Sequence, residues 1–280
     1  MNTVTYSGTP LLYTEGSASG FSSTWSPKTW TGLTSFNGYS VWSDGENIYY
    51  STEDDQYVLD KSTSAWSAKT WEGPKQNLAR NYIWTDGENI YYSDGSYWNL
   101  VLDKATSTWS QKYWYGKAYP AGDKVWTDGE NIYYSNGDYE QYVLDKSTSR
   151  WSEKTWNGVT NFQGNNIWSD GETFYFSYSS DQYVLDKSTS TWSAKTWNGL
   201  SRVYRNSIWS DGENIYYSRG SEQCVLDKST STWSSKTWEG FSGYGSSVWK
   251  DGENIYYSSG NTQSILNKAT PTSYAIYYNP

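Results

Sequence analysis

The sequence predicts an all-β protein built from repeated four-stranded antiparallel sheets, and three observations lead to this fold class. Asp-Gly pairs recur before an aromatic segment, with successive spacings of 42, 42, 42, 41 and 40 residues, at Asp44, Asp86, Asp128, Asp170, Asp211 and Asp251. Eighteen of the 19 tryptophans follow the same period, and Trp98 alone does not. No window shows sustained helical periodicity, because Gly, Asn and Ser interrupt every apolar run.

Each repeat unit divides into four strand-like segments separated by turn residues. The first segment, Ile/Val-Trp-Ser, is followed by a tight Asp-Gly-Glu-Asn turn, in which Gly supplies the positive φ that such a hairpin needs. Ile-Tyr-Tyr-Ser forms the second strand and Gln-Tyr-Val-Leu-Asp the third. After Lys-Ser-Thr-Ser, the segment Trp-Ser-x-Lys-Thr-Trp forms the fourth. Four short strands in roughly 40 residues are typical of one blade of a β-propeller.

The number of blades depends on the two ends of the chain. Residues 4–14 align with VWSDGENIYYS if one turn residue is deleted, which makes 4–30 a degenerate first unit. The other units start near residues 40, 82, 124, 166, 207 and 247, and the last has Ser273–Tyr278 in place of its closing tryptophans. Dividing the 280 residues by seven gives 40 per unit, so seven blades are favoured. Six blades, with terminal strands exchanged to close the ring, are the alternative, and either ring is a single domain over 1–280.

Composition excludes several functional classes. The chain has no histidine, which rules out Ser-His triads, histidine-ligated metals and histidine acid–base catalysis. Its single cysteine cannot form an internal disulfide, and its net charge of −9 argues against nucleic-acid binding through phosphate contacts. No apolar run reaches membrane-spanning length, and the N-terminal residues lack a signal-peptide pattern. We therefore expect no cofactor, no metal and no membrane insertion.

The joint between the third and fourth strands carries a family resemblance. Asp60, Thr63 and Trp66 match the kelch pattern Asp-x-x-Thr-x-x-Trp, and the pattern recurs in four later units at Asp103/Thr106/Trp109, Asp145/Thr148/Trp151, Asp186/Thr189/Trp192 and Asp227/Thr230/Trp233. The chain therefore resembles kelch-like repeat proteins, although the kelch di-glycine after the second strand is absent. The units are also similar to kelch-like repeats of bacterial-virus and gut-bacterial surface proteins. This resemblance implies a propeller and a virion or surface setting.

The repeated residues are expected to have structural roles. Asp60 and its equivalents should cap the turn by accepting backbone N–H bonds, with Thr63 in a similar local role. Trp66 and Trp71 should pack between neighbouring blades, because isolated four-stranded sheets lack a core of their own.

The four kinds of joint differ in how much they vary from unit to unit. Asp-Gly-Glu-Asn and Lys-Ser-Thr-Ser are nearly identical in most units, whereas the joints after the second and fourth strands differ every time. In an up-down-up-down blade, joints after strands two and four emerge on one face of the ring. We call this the varied face and the opposite one the uniform face. Because surface loops on a rigid scaffold carry function, the varied face is the expected ligand face.

The varied joints are rich in aromatic and arginine residues, which are favoured as binding anchors. The predicted ligand-binding residues are Tyr97, Trp98, Arg80, Tyr119, Tyr139, Phe162, Tyr178, Arg202, Tyr204, Arg205, Arg219 and Tyr244. Trp98 has the strongest individual case, because the repeat does not require it. For single tyrosines and phenylalanines, plugging the channel or covering a blade edge is the competing interpretation.

These observations predict a non-enzymatic propeller that binds a surface glycan or a protein, for example in phage host attachment. The expected location is a virion or cell surface, with the cytoplasm left open. A purely structural spacer in a virion or surface layer is the alternative. A weaker alternative is a glycan-cleaving enzyme using the acid pairs Asp138 with Glu140 or Asp54 with Asp55.

Overall fold

Six four-stranded antiparallel sheets form the fold in the computed structural model, which describes residues 12–13, 21–52, 55–73, 82–117, 119–137, 139–268 and 274–275. We number the sheets blades 1–6 in chain order of their inner strands. The inner strands are β3 (Val41–Ser43), β7 (Ile83–Thr85), β11 (Val125–Thr127), β15 (Ile167–Ser169), β20 (Ile208–Ser210) and β24 (Val248–Lys250). The second strands are β4 (Ile48–Ser51), β8 (Ile90–Ser93), β12 (Ile132–Ser135), β16 (Phe174–Ser179), β21 (Ile215–Arg219) and β25 (Ile255–Ser259).

The third strands continue the same order outward from the ring axis. They are β5 (Gln56–Asp60), β9 (Asn99–Asp103), β13 (Gln141–Asp145), β17 (Asp181–Asp186), β22 (Glu222–Asp227) and β26 (Thr262–Lys268). The outer strands are β6 (Ala65–Ala68), β10 (Thr108–Gln111), β14 (Arg150–Glu153), β18 (Thr191–Ala194), β23 (Thr232–Ser235) and, for blade 6, β2 (Phe21–Pro27). Short 3-10 turns precede five inner strands, at Gly38–Ser40, Gly122–Lys124, Gly164–Asn166, Arg205–Ser207 and Gly245–Ser247.

The ring closes by pairing the N-terminal part of the chain with its C-terminal part. Strand β2 is antiparallel to β26, with Trp25 opposite Leu266 and Ser26 opposite Ile265. The expectation of seven blades is therefore wrong, and the six-bladed alternative is correct. The first unit's fourth strand is the outer strand of blade 6, so it supplies the closing tryptophan that the last unit lacks. A separate two-stranded pair joins β1 (Leu12–Tyr13) to β27 (Tyr274–Ala275), and most of the aligned segment 4–14 lies outside the described residues.

The core lies between the blades. Each buried cluster of the described residues joins two neighbouring sheets, as where Trp126 and Trp156 of blade 3 meet Trp192 of blade 4. Trp156 and Trp192 are edge-to-face neighbours of Phe162, with ring centroids 6.0 and 5.3 Å away. Each such aromatic pair stabilises the fold by about 0.5–1.5 kcal/mol beyond the contribution of the apolar area that it buries. The prediction that periodic tryptophans pack between blades is confirmed.

Carboxylates fix both uniform joints. In the first turn, Asp44 accepts backbone N–H bonds from Glu46 and Asn47 and a hydrogen bond from the Tyr49 hydroxyl at 2.9 Å. In the second, Asp60 accepts from the Ser62 backbone N–H and from the Thr63 hydroxyl, which confirms the predicted capping role. Hydrogen bonds to the ionised form, first from the Thr63 hydroxyl and then from the Ser62 hydroxyl, lower the pKa of Asp60 to about 2.

A lysine joins each blade to the next one. Lys154 Nζ lies 4.7 Å from the Trp156 ring centroid and donates a 2.7 Å hydrogen bond to Ser190 Oγ of blade 4. Ser190 has a φ of 52°, so its side chain is held toward the lysine by a left-handed backbone. The same contact recurs with Lys28, Lys69, Lys112, Lys195 and Lys236. The repeated Lys-x-Trp motif therefore links neighbouring blades.

Candidate functional site

Hydrogen bonds sort the joints onto two faces. Joints between second and third strands lie against the joints that lead to the next blade. Four do so in the bridges Asp94↔Ala121, Asn136↔Gln163, Tyr178↔Tyr204 and Arg219↔Tyr244, and in blade 6 the Phe36 backbone N–H donates to the Gly260 carbonyl oxygen. The two uniform joints meet across blades instead, as where Lys104 Nζ donates to the Asp44 carbonyl oxygen at 3.4 Å. The varied joints therefore share one face, as the strand count predicts.

Four predicted residues form a continuous belt on the varied face across blades 4, 5 and 6. Tyr178 pairs with Tyr204 in the short strand β19 (Val203–Tyr204), and Arg219 bridges to Tyr244. The Arg219 guanidinium carbon lies 4.3 Å from the centroid of the Tyr204 ring, which joins the two pairs. Tyr178 and Tyr244 are more than half exposed. We call Tyr178, Tyr204, Arg219 and Tyr244 the Arg–Tyr belt.

The belt has a defined electrostatic character. The Tyr204 and Ser179 hydroxyls are 3.4 Å apart, and this hydrogen bond, followed by the nearby Arg219 charge, lowers the pKa of Tyr204. Arg202 is exposed nearby, and its charge also lowers the pKa of Tyr204. A guanidinium stacked on an aromatic ring keeps its N–H groups available in the ring plane, where they can donate to an acceptor on a ligand.

A cavity of about 1010 Å³ opens beside the belt along the ring axis. Tyr178, Tyr204 and Arg205 contribute to its wall on the varied-face side. Further along, aliphatic side chains that begin the inner strands line it, namely Ile83, Val125, Ile208 and Val248. Ligand pockets commonly enclose about 300–1,000 Å³, so this channel is large enough for a small molecule or the end of a polymer.

Three charged side chains line the channel. Arg205 donates from Nε to the Ile167 carbonyl oxygen at 3.1 Å, and the residue is exposed to solvent. Desolvation lowers the pKa of Lys250, at the uniform-face end of its strand, against the opposing effect of Asp211. Asp123 lies in a 3-10 turn, and desolvation raises its pKa.

A second group of predicted residues lies on blades 2 and 3. Tyr97 and Tyr119 contact each other edge-to-face, with ring centroids 4.6 Å apart. Partial desolvation, followed by the influence of the neighbouring Tyr97 hydroxyl, raises the pKa of Tyr119. Trp98 is 43% exposed, so it is not part of the core. Tyr139 is 77% exposed with a φ of 63°, and no ring contact joins it to the others.

One predicted residue is corrected by its burial, and another cannot be placed. Phe162 is only 2% exposed and packs between blades 3 and 4, so it cannot contact a ligand on this face. The same position of the joint carries a buried apolar residue in other units, namely Phe36, Pro120 and Val203. Arg80 lies outside the described residues.

The acidic pairs considered for hydrolysis are only partly described, because Asp54 and Asp138 lie outside the described residues. Glu140 forms a 2.7 Å ion pair with Lys117, which lowers its pKa. Among the described residues, no group of three His, Cys, Asp or Glu side chains could hold a metal ion. No described helix has the length and hydropathy needed to cross a bilayer.

Sequence reasoning missed Asp123 and Lys250. Lys250 ends its inner strand at a position that is Ser or Thr in the other five units, namely Ser43, Thr85, Thr127, Ser169 and Ser210. Because this segment is otherwise uniform, the replacement of Ser or Thr by Lys250 was a signal that the sequence offered. Asp123 sits in a joint that varies in every unit, so no such departure exists for it.

Comparisons with known proteins agree with the propeller fold. The structure is similar to the extracellular domain of a putative hybrid two-component system from B. thetaiotaomicron, with a TM-score of 0.54 and 11% identity, covering 86% of this chain and 34% of that one. It is also similar to the extracellular domain of another putative hybrid two-component system from B. thetaiotaomicron, with a TM-score of 0.50 and 13% identity, covering 82% of this chain and 33% of that one. This chain thus spans about a third of their length. No protein-family model and no curated protein matches the sequence.

Proposed function

We propose that this protein is a non-enzymatic propeller that binds a surface glycan through the Arg–Tyr belt. The single observation that carries this proposal is the stacking of Arg219 on Tyr204 between two exposed tyrosines, beside the mouth of the channel. Exposed tyrosine rings can cover the faces of sugar rings at little entropic cost, and arginine can donate to their hydroxyl or carboxyl groups.

The repeat itself supports a recognition role, because the belt is not needed for the fold. Arg219 and Tyr178 stand where other units have Thr52, Asp94, Asn136 and Ser259. Tyr204 and Tyr244 stand where other units have Asn37, Ala121 and Gln163. Small or polar residues therefore serve the scaffold equally well at these positions, and the aromatic and arginine side chains of consecutive blades favour a ligand.

The setting of the protein belongs to the same proposal. The similar solved structures are extracellular domains of putative hybrid two-component systems, which supports an extracellular or surface location for this chain. The kelch-like character of the repeat and a role on a virion in host attachment rest on the sequence resemblance alone.

The test uses two matched multiple variants on a glycan array. The belt variant combines Tyr178→Ser, Tyr204→Gln, Arg219→Ser and Tyr244→Gln, all residues that equivalent positions carry. The control combines Tyr113→Thr, Tyr115→Asn and Arg150→Thr, which removes exposed aromatic and arginine residues from the outer edge of blades 2 and 3. We expect wild type and control to bind the same glycans and the belt variant to bind at least about tenfold more weakly, a loss of about 1.4 kcal/mol. Equal binding by both variants would reject the belt as the site, and no glycan binding by wild type would favour the structural-spacer alternative.

A further inference from the structure

Arg205 is a departure from the repeat that the fold does not need. It begins the 3-10 turn before β20, and the same position is glycine in four of the other five units, at Gly38, Gly122, Gly164 and Gly245, and arginine in the fifth, at Arg80. In those units the glycine packs directly on the preceding turn, where a Cβ on Gly164 would lie 2.1 Å from the Lys124 carbonyl oxygen. Accommodating a long cationic side chain here therefore requires a local adjustment, and a scaffold role does not explain it.

The guanidinium of Arg205 is positioned but not neutralised. Its Nε donates to the Ile167 carbonyl oxygen, which leaves the two terminal amino groups without a hydrogen-bond acceptor among the described residues. The ion pair found in the described part of the chain joins Lys117 to Glu140, so Asp123 does not compensate the Arg205 charge. Because Arg205 is exposed and lines the cavity, these amino groups can donate hydrogen bonds to an anionic ligand that enters the channel mouth.

The chemistry of the site selects a carboxylate. The free edge of a guanidinium binds the two oxygens of a carboxylate in a planar, bidentate arrangement. Phosphate and sulfate esters are accepted by the same edge, but Asp123 lines the same cavity and the protein carries a net charge of −9. A singly charged group is therefore favoured over a phosphate ester with two charges. A sulfate ester also carries one charge, but a planar carboxylate matches the planar guanidinium edge more closely than a tetrahedral sulfate does.

The neighbourhood of Arg205 selects a sugar. Tyr178 and Tyr204 stand at the same end of the cavity and belong to the belt, so a chain lying on the belt can turn its end into the channel. We infer that the ligand is an acidic glycan whose terminal sugar enters the channel mouth, with its carboxylate bound by Arg205. This inference rests on the proposed function and names its ligand class.

Lys250 provides a matched control for the charge. It lines the same cavity, and Lys250→Ser restores the repeat residue, just as Arg205→Gly does. Both variants remove one positive charge, but Lys250 ends its strand at the opposite end of the channel. A diffuse electrostatic attraction would be weakened equally by both variants, whereas a carboxylate contact would be weakened by Arg205→Gly.

The experiment measures binding of the full chain by isothermal titration calorimetry. The probes are tetragalacturonate and sialyllactose, with methyl-esterified tetragalacturonate and lactose as their neutral counterparts, and a sulfated galactose oligomer as a second anion. We expect wild type to bind at least one of the two acidic sugars about tenfold or more tightly than its neutral counterpart, and Arg205→Gly to lose that difference. Lys250→Ser should keep this preference for the acidic sugar within about threefold. Arg205→Lys should retain part of the preference, because lysine keeps the positive charge but lacks the paired N–H donors of a guanidinium.

The outcomes separate this inference from the proposed function. Preference of wild type for neutral or sulfated sugars, or equal losses in Arg205→Gly and Lys250→Ser, would overturn the carboxylate assignment. If the belt variant loses glycan binding while Arg205→Gly binds every probe as wild type does, the proposed function stands and this inference fails. If no probe and no array glycan binds wild type, both fail. Unchanged thermal unfolding of Arg205→Gly establishes that a loss of affinity is local.

Discussion

A pair of glycine substitutions tests how tightly neighbouring blades are fitted together. Gly158, in the joint between blades 3 and 4, has a φ of 84°, and a Cβ there would lie 2.0 Å from the Trp192 carbonyl oxygen. Gly171, in an Asp-Gly turn, has a φ of 98° but no atom within 4 Å of its would-be Cβ. Left-handed backbone costs a non-glycine residue about 1–2 kcal/mol, and overpacking adds about 1–3 kcal/mol. We therefore expect Gly171→Ala to cost about 1–2 kcal/mol and Gly158→Ala about 2–5 kcal/mol.

Thermal unfolding followed by tryptophan fluorescence measures this difference. In a protein of this size 1 kcal/mol corresponds to about 2–4 °C in Tm, so Gly158→Ala should unfold about 2–12 °C below Gly171→Ala. Since the two variants share the conformational strain, the gap isolates the contact between the joint and the next blade. Equal Tm values for the two variants would refute the inferred fit between blades.

Three further predictions concern closure, pH and the contacts between blades. Trp25→Ala should lower the free energy of unfolding by about 3–5 kcal/mol, measured by urea titration, because this buried ring completes the cluster between blades 5 and 6. Burial, followed by the Asp170 carboxylate, raises the pKa of Tyr175 to about 12, whereas the unfolded tyrosine ionises near its ordinary 10.0. The stability that Tyr175 contributes while protonated should be fully present below pH 10 and lost between pH 10 and 12. The Tm of wild type should therefore fall across this range, and Tyr175→Phe should make the fall shallower. Lys154→Met should lower stability by about 1–2 kcal/mol in the same urea assay, because it removes both the hydrogen bond to Ser190 and the cation–π contact.

Much of the fold was predictable from the sequence because each blade repeats the same local chemistry. The Asp-Gly turns, the Asp60 cap and the periodic tryptophans all depend on contacts within one unit or between neighbours. The blade count was not predictable in this way, since it depends on a pairing between Trp25 and Leu266 across nearly the whole chain. Dividing the length by a unit size cannot reveal that one unit is split between the two ends.

The candidate site was predictable as a face but not residue by residue. Strand count alone places the varied joints together, whereas burial within a joint depends on which residue faces the neighbouring blade. Phe162 illustrates this, although its register offered a signal: the equivalent position is apolar in four other units, at Phe36, Leu78, Pro120 and Val203. The stacking of Arg219 on Tyr204 joins residues of separate joints, so only the structure brings them together.

Hydrogen–deuterium exchange of wild type with and without its tightest-binding array glycan tests the central claim most directly, because it locates the bound ligand without any substitution. We expect added protection in the varied joints of blades 4 to 6, around residues 178–180, 202–207, 219–221 and 243–246. The uniform turns at residues 44–47 and 60–64 should exchange at unchanged rates. Protection confined to those uniform turns would place the ligand on the opposite face and contradict the account.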